Sequence, residues 1–158
     1  MVLLKNVSDI IEGYLKELIG VSPSEHVDVR RNELAERFGC VPSQVNYVIK
    51  TRFTLDKGFI IQSKRGGGGY IRIVKVPFCD RDELFTQVLD LIGEKISENR
   101  AENLLLRLFE EKMITARELK LMLAALARQV LAGLPSSERD MFRAKLLAQM
   151  IHALRGTR

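Results

Sequence analysis

Four consecutive glycines, Gly66 to Gly69, interrupt a segment that otherwise reads as strand, and a helix cannot run stably through them. FIIQSK precedes the run and YIRIVKV follows it. Both segments are rich in β-branched and aromatic residues, so the run predicts a β-hairpin with a flexible tip. A tight two-residue turn needs no run of four, and each glycine gives up more backbone entropy on ordering than other residues do. The run therefore points to a use at the tip, where bare backbone can approach a partner closely. A nucleotide-binding loop is excluded. Its lysine and following Ser or Thr are missing after Gly69, a GxGxxG reading needs glycine where Ile71 stands, and phosphate loops open a helix rather than join two strands.

Charge gathers around this hairpin. The chain of 158 residues carries a net +5, yet from Val41 to Val76 seven basic residues (Lys50, Arg52, Lys57, Lys64, Arg65, Arg72, Lys75) face one acid, Asp56. The remainder is close to neutral. One sign of charge concentrated in a short segment fits a polyanionic partner, and equally a solvated basic face.

Three helices are expected ahead of the hairpin. Ser8 and Asp9 offer an N-cap to Ile10, Ile11, Tyr14, Leu15, Leu18 and Ile19, which recur at helical spacing until Gly20. Asn32 can cap a short helix carrying Leu34, Ala35 and Phe38 on one face, with Gly39 at its end. Pro42 suits the first position of a third helix running to about Thr51. Two short helices joined by a tight turn and followed by a basic hairpin is the order of a winged helix-turn-helix.

On the third helix Val45, Val48 and Ile49 share one side, while Ser43, Tyr47 and Lys50 centre the other, flanked by Gln44, Asn46 and Thr51. Gln44 and Asn46 can hold an adenine edge through two hydrogen bonds, Lys50 can reach guanine or phosphate, and Ser43, Tyr47 and Thr51 suit phosphate oxygens. Arg52, nearer the buried side at the helix end, suits a DNA-backbone contact rather than base reading. An ordinary surface helix with a polar outer face fits the same wheel. In the hairpin, Lys64 and Arg65 precede the glycines, and an arginine there can enter the narrow minor groove of A·T-rich DNA.

After Pro77 only helical patterns follow. Asp80 and Glu83 are spaced as a capping box before Leu84, Phe85, Val88, Leu89 and Ile92, and further helices are expected over about 100–112, 116–132 and 137–154. Thr115 and Glu118 form a second box, and Gly133, Pro135 and Ser136 punctuate the last junction. Leu104, Leu105, Leu108, Leu121, Met122, Leu126, Val130, Met141, Leu146, Leu147, Met150, Ile151 and Leu154 offer much apolar surface for four short helices. Part of it meets a second copy, or all of it fills a self-contained bundle.

The expected fold is thus α+β: an N-terminal winged helix-turn-helix over residues 1–76, then an all-α, four-helix domain over residues 77–158. Cys40 and Cys79 are far apart and His26 and His152 stand alone, so neither a metal site nor a disulfide framework is expected. The longest apolar run, Leu121 to Ala127, is far too short to cross a bilayer, and no secretory leader pattern opens the chain. A soluble, cytoplasmic protein with no cofactor, no membrane association and no enzymatic activity is expected. A DNA-binding regulator is the first reading. A helical protein–protein adaptor whose basic half anchors nucleic acid nonspecifically is the second, and RNA binding a weaker third.

Four segments carry a family likeness: SDIIEGYLK (Ser8 to Lys16), CVPSQVNYVI (Cys40 to Ile49), TRFTLDKGFI (Thr51 to Ile60) and SKRGGGGYIRI (Ser63 to Ile73). Together they resemble the class three stress gene repressor family, CtsR, of low-GC Gram-positive bacteria. The likeness spans essentially the whole chain and is most specific from Cys40 to Ile73. It implies a homodimeric repressor of clp protease and chaperone genes that binds tandem heptanucleotide repeats in double-stranded operator DNA and is released on heat stress. It further implies a protein-arginine kinase with its adaptor, and Clp ATPases of the protease, as partners. The family's recognition helix falls on Pro42 to Thr51 and its wing tip on Lys64, Arg65, Gly66, Gly67, Gly68 and Gly69. Arg31 and Arg65 are the matching basic positions, and both are candidates for arginine phosphorylation. Lys50 and Gly39 depart from the family's pattern.

Overall fold

The computed structural model describes residues 6–65 and 69–157, so Gly66, Gly67 and Gly68 of the expected wing tip lie outside the described residues. The chain divides into two compact units, Met1–Val76 and Pro77–Arg158. The first mixes helices with a small sheet and the second is helical, which is the α+β winged helix-turn-helix followed by an all-α domain.

In the first unit α1 spans Val7–Val21, α2 Arg31–Phe38 and α3 Pro42–Arg52, with β1 at His26–Val29, β2 at Phe59–Lys64 and β3 at Tyr70–Lys75. The N-cap of α1 is Asn6, whose side chain accepts from the Asp9 amide at 2.9 Å, rather than Ser8 or Asp9. Ser8 is instead inside the helix and buried. The helix also runs through Gly20 to Val21. Asn32 sits in the first turn of α2, whose N-cap is Arg30, so its expected capping role goes to a residue with no side-chain cap bond. Gly39 ends α2 at φ 64, and the Cys40 amide donates back to the Ala35 carbonyl at 2.9 Å. That left-handed cap, which glycine adopts without strain, makes the short turn into α3.

The sheet has a strand that the sequence did not suggest. β1 pairs antiparallel with β3, His26 opposite Val74 and Val29 opposite Ile71, giving the order β1-β3-β2. The hairpin pairs Phe59 with Lys75 and Lys64 with Tyr70. Ile11, Leu15 and Ile19 of α1 pack with Leu34, Val45, Val48, Ile49, Phe53, Phe59, Ile71 and Ile73 into one core, where Phe53 meets Phe59 edge-on at 5.0 Å.

The second unit holds α4 (Arg81–Ile92), α5 (Glu98–Glu110), α6 (Ala116–Leu126), a 3-10 turn at Leu131–Gly133 and α7 (Ser136–Arg155). Asp80 caps α4 by accepting from the Glu83 amide at 2.8 Å, but Glu83 takes the Cys79 amide instead of returning to Asp80, so this is half of the expected box. Thr115 and Glu118 make both bonds of theirs. Ser97 caps α5, which therefore starts ahead of residue 100.

The expected helix over 116–132 stops at Leu126 although its helical spacing continues. Tertiary bonds end it. Ala127 is extended, the Arg128 amide donates to the Glu98 carboxylate, and the Leu126 carbonyl accepts from Arg143 at 3.1 Å. Arg143 is 3% exposed and also donates to the Ile96 carbonyl at 3.0 Å and to Asp140 at 2.6 Å. One planar donor thus ties the end of α6, the lead-in to α5 and its own helix. Leu104, Leu105, Leu108, Met122, Leu126, Leu147 and Ile151 are all buried in this unit's own core, and Leu146, Met150 and Leu154 pack against it. Of the apolar surplus read from the sequence, Leu121, Val130 and Met141 remain exposed, joined by Phe109 and Phe142. Among the described residues no helix is long and apolar enough to cross a membrane.

Candidate nucleic-acid interface

The third helix is two-sided, as its sequence predicts. Val45, Val48 and Ile49 are buried, while Ser43, Tyr47, Lys50 and Thr51 are exposed and Asn46 is half-buried. Ser43, Asn46, Tyr47 and Lys50 follow the i, i+3, i+4, i+7 spacing of a single helical stripe, and Tyr47 keeps 56% of its surface in solvent. That stripe offers a hydroxyl, an amide, a phenol and an ammonium to whatever lies against it.

Gln44 and Thr51, expected to flank this face, and Arg52, expected to contact the DNA backbone from the helix end, are occupied within the protein. The Gln44 Nε2 donates to Ser8 Oγ at 2.7 Å. The Thr51 hydroxyl donates back to the Tyr47 carbonyl at 2.7 Å. Arg52 turns to α1, its Nη1 reaching Glu12 Oε1 at 2.7 Å and Asp9 Oδ1 at 3.1 Å. Its pKa is raised above the ordinary value, first by the hydrogen bond it donates to Glu12, and burial, which lowers it, is outweighed once the Glu12 charge and the bond and charge of Asp9 are added. Burial pushes the Glu12 carboxyl up, but Lys16, at 2.9 Å, and Arg52 outweigh that and hold it below its ordinary value.

The wing and the start of α2 border a common groove of about 500 Å³, lined by Arg30, Arg31, Ser63, Lys64, Arg65 and Gly69 among others. Arg31, Lys64 and Arg65 are exposed there. Gly69 has φ 64, so any side chain at this end of the tip would be strained. Arg72 sits on β3 and pairs with Asp28 of β1 at 2.8 Å. The hydrogen bond from Arg72 is the main reason the Asp28 carboxyl lies below its ordinary value. Sequence reading passed over Arg30 and Tyr70, which line the same groove, because β1 sets their neighbourhood and β1 itself was missed. The ion pairs of Asp9 and Glu12 with Arg52 are likewise not legible in the sequence, because Arg52 lies 43 and 40 residues further along. Among the described residues no group of three or more His, Cys, Asp or Glu side chains could hold a metal ion, and both cysteines are free.

Comparison with known proteins places both units. The model of the CtsR N-terminal HTH domain matches residues 6–77, and that of the CtsR C-terminal dimerization domain matches residues 80–152. The transcriptional regulator CtsR of Geobacillus stearothermophilus is 50% identical over 153 residues, covering 96% of this chain and 99% of its own. That of Bacillus subtilis is 44% identical over 151 residues, covering 95% and 97%. A crystal structure of CtsR in complex with a 26-base-pair DNA duplex aligns with a TM-score of 0.88 at 49% identity, over 96% of this chain and all of the other.

Proposed function

The chain belongs to the CtsR family of transcriptional regulators, and from that membership we propose that it is a homodimeric, sequence-specific repressor of clp protease and chaperone genes. Tandem-repeat operators and release on heat stress complete the reading. The observation that carries it is the stripe of Ser43, Asn46, Tyr47 and Lys50, held outward by a fully buried opposite face on the same unit as the basic groove. Asn46 suits an adenine edge and Lys50 a guanine or a phosphate, which together can read a short major-groove segment. Arg30, Arg31 and Lys64 supply phosphate attraction, and Arg65 at the wing reaches the adjacent minor groove. A single such unit reads too few base pairs to be specific, which favours two copies joined through the helical unit, whose family model is described as a dimerization domain. Phosphorylation of Arg65 or Arg31 by a protein-arginine kinase with its adaptor, and removal by Clp ATPases, belong to the same proposal.

The test is a selection of duplexes from a random pool, followed by affinities for the selected duplex and a scrambled one across a salt series. A specific reader keeps its preference as salt rises, whereas a nonspecific anchor loses both duplexes together. Lys50→Ala should weaken the selected duplex and, if Lys50 meets a phosphate, flatten the slope of log affinity against log salt by about one. Lys50→Ala binding with unchanged affinity and slope would take α3 out of the interface.

A further inference from the structure

The recognition helix is held at both ends by the first turns of α1. At its start the Gln44 amide meets Ser8 Oγ at 2.7 Å, and Ser8 is 5% exposed. At its end the Arg52 guanidinium bridges Asp9 and Glu12 at 3.1 and 2.7 Å. Ser8, Asp9 and Glu12 lie within two turns of one helix, and Gln44 and Arg52 are eight residues apart on the other, so the contacts sit at two separated points along α3. Two separated ties add directional, hydrogen-bonded restraint on the rotation of α3 to the non-directional apolar packing of Val45, Val48 and Ile49. Both tying side chains are of the types that ordinarily touch DNA, yet here they face inward.

We infer that Asp9 and Glu12, although acidic and on the unit that meets a polyanion, are positioning residues for DNA reading, acting through Arg52, with Ser8 and Gln44 as the second tie. The inference rests on the DNA-reading function proposed above. Its consequence runs against simple electrostatics. Removing two negative charges from a DNA-binding unit should strengthen binding to any duplex if those charges act only at a distance. If they aim α3, their removal instead degrades the alignment of Asn46 and Lys50 with base edges. Phosphate attraction, which tolerates small rotations, is spared.

The experiment compares wild type, Asp9→Asn/Glu12→Gln, Ser8→Ala and Arg52→Gln on a duplex selected by the wild-type chain and on its scrambled counterpart, across a salt series. The double variant should lose about tenfold in affinity for the selected duplex, comparable to one mismatched base pair, while the scrambled duplex binds as well or better. Ser8→Ala, which leaves charge unchanged, should narrow the ratio between the two duplexes in the same direction by a smaller factor. Arg52→Gln should narrow that ratio with the salt slope on the scrambled duplex unchanged. A slope flattened by about one on both duplexes would make Arg52 a phosphate contact and overturn the inference. Equal gains on both duplexes in the double variant would also overturn it, and so would equal losses, which report misfolded protein rather than misaimed helix. A wild-type chain with no preference between the duplexes would instead sink the proposed function.

Discussion

Replacing Arg143 with methionine should lower the melting temperature of the helical unit by roughly 15 to 30 °C, since about 3 to 5 kcal/mol is lost in a unit of this size. Methionine keeps most of the volume, so the loss isolates the hydrogen bonds. Without the guanidinium, the Leu126 and Ile96 carbonyls lose their side-chain donor inside the core, at about 1 to 3 kcal/mol each. The bond to Asp140 adds less, because that carboxylate is half in solvent. Lysine at 143 keeps the charge but cannot serve three acceptors with one planar fork, so it should recover only part of the loss. Calorimetry of the variants checks this, and sedimentation at the same protein concentration shows whether self-association falls with it. A methionine variant melting within about 3 °C of wild type, a change below 1 kcal/mol, would mean that the carbonyls find other donors.

Phosphorylating Arg65 should reduce binding of the selected duplex by roughly a hundredfold or more, because the side chain goes from net positive to net negative and its phosphoryl oxygens then face the phosphate walls of the groove that the guanidinium was to enter. Arg65 is exposed at the end of β2, beside Lys64 and Gly69, so a modifying enzyme can reach it. Arg65→Lys keeps the positive charge and discards the planar fork and the modifiable group. It should retain much of the nonspecific affinity, lose some A·T preference and resist the kinase at that position. Arg31 borders the same groove and is the second candidate. Affinities before and after treatment with a protein-arginine kinase, for wild type, Arg65→Lys and Arg31→Lys, separate the two. If wild type and Arg65→Lys are released equally, Arg65 is not the switch, and Arg31 becomes the leading site, to be read from whether Arg31→Lys resists release.

The elements legible in the sequence are those whose cause is local. Pro42 and the Val45, Val48, Ile49 spacing define α3 without outside help, and Thr115 with Glu118 define the start of α6. The hairpin declares itself through two β-rich segments around glycines. What escaped depends on partners distant in the chain. HVDV is too short to show a period, and only β3 makes it a strand. The end of α6 is decided by Glu98 and Arg143, not by any helix breaker in its own sequence. On α3 the helical wheel put Gln44 at the flank of the polar face and Arg52 nearer the buried side, and residue type gave both a DNA contact. Which of them turn inward depends on Ser8, Asp9 and Glu12, which only the packed structure brings near.

The placement of β3 between the other two strands sets an order of events during synthesis. Asp28 and its partner Arg72 are 44 residues apart, and β1 has no strand to pair with until β3 exists. Chains are made from the N-terminus, so the three helices can form and pack while β1 waits unpaired on the growing chain. Pairing over such a separation is slow compared with helix formation. A nascent chain halted before Tyr70 therefore carries α3 but lacks the sheet that joins the wing to the start of α2, and the unit is complete only after the wing has been made.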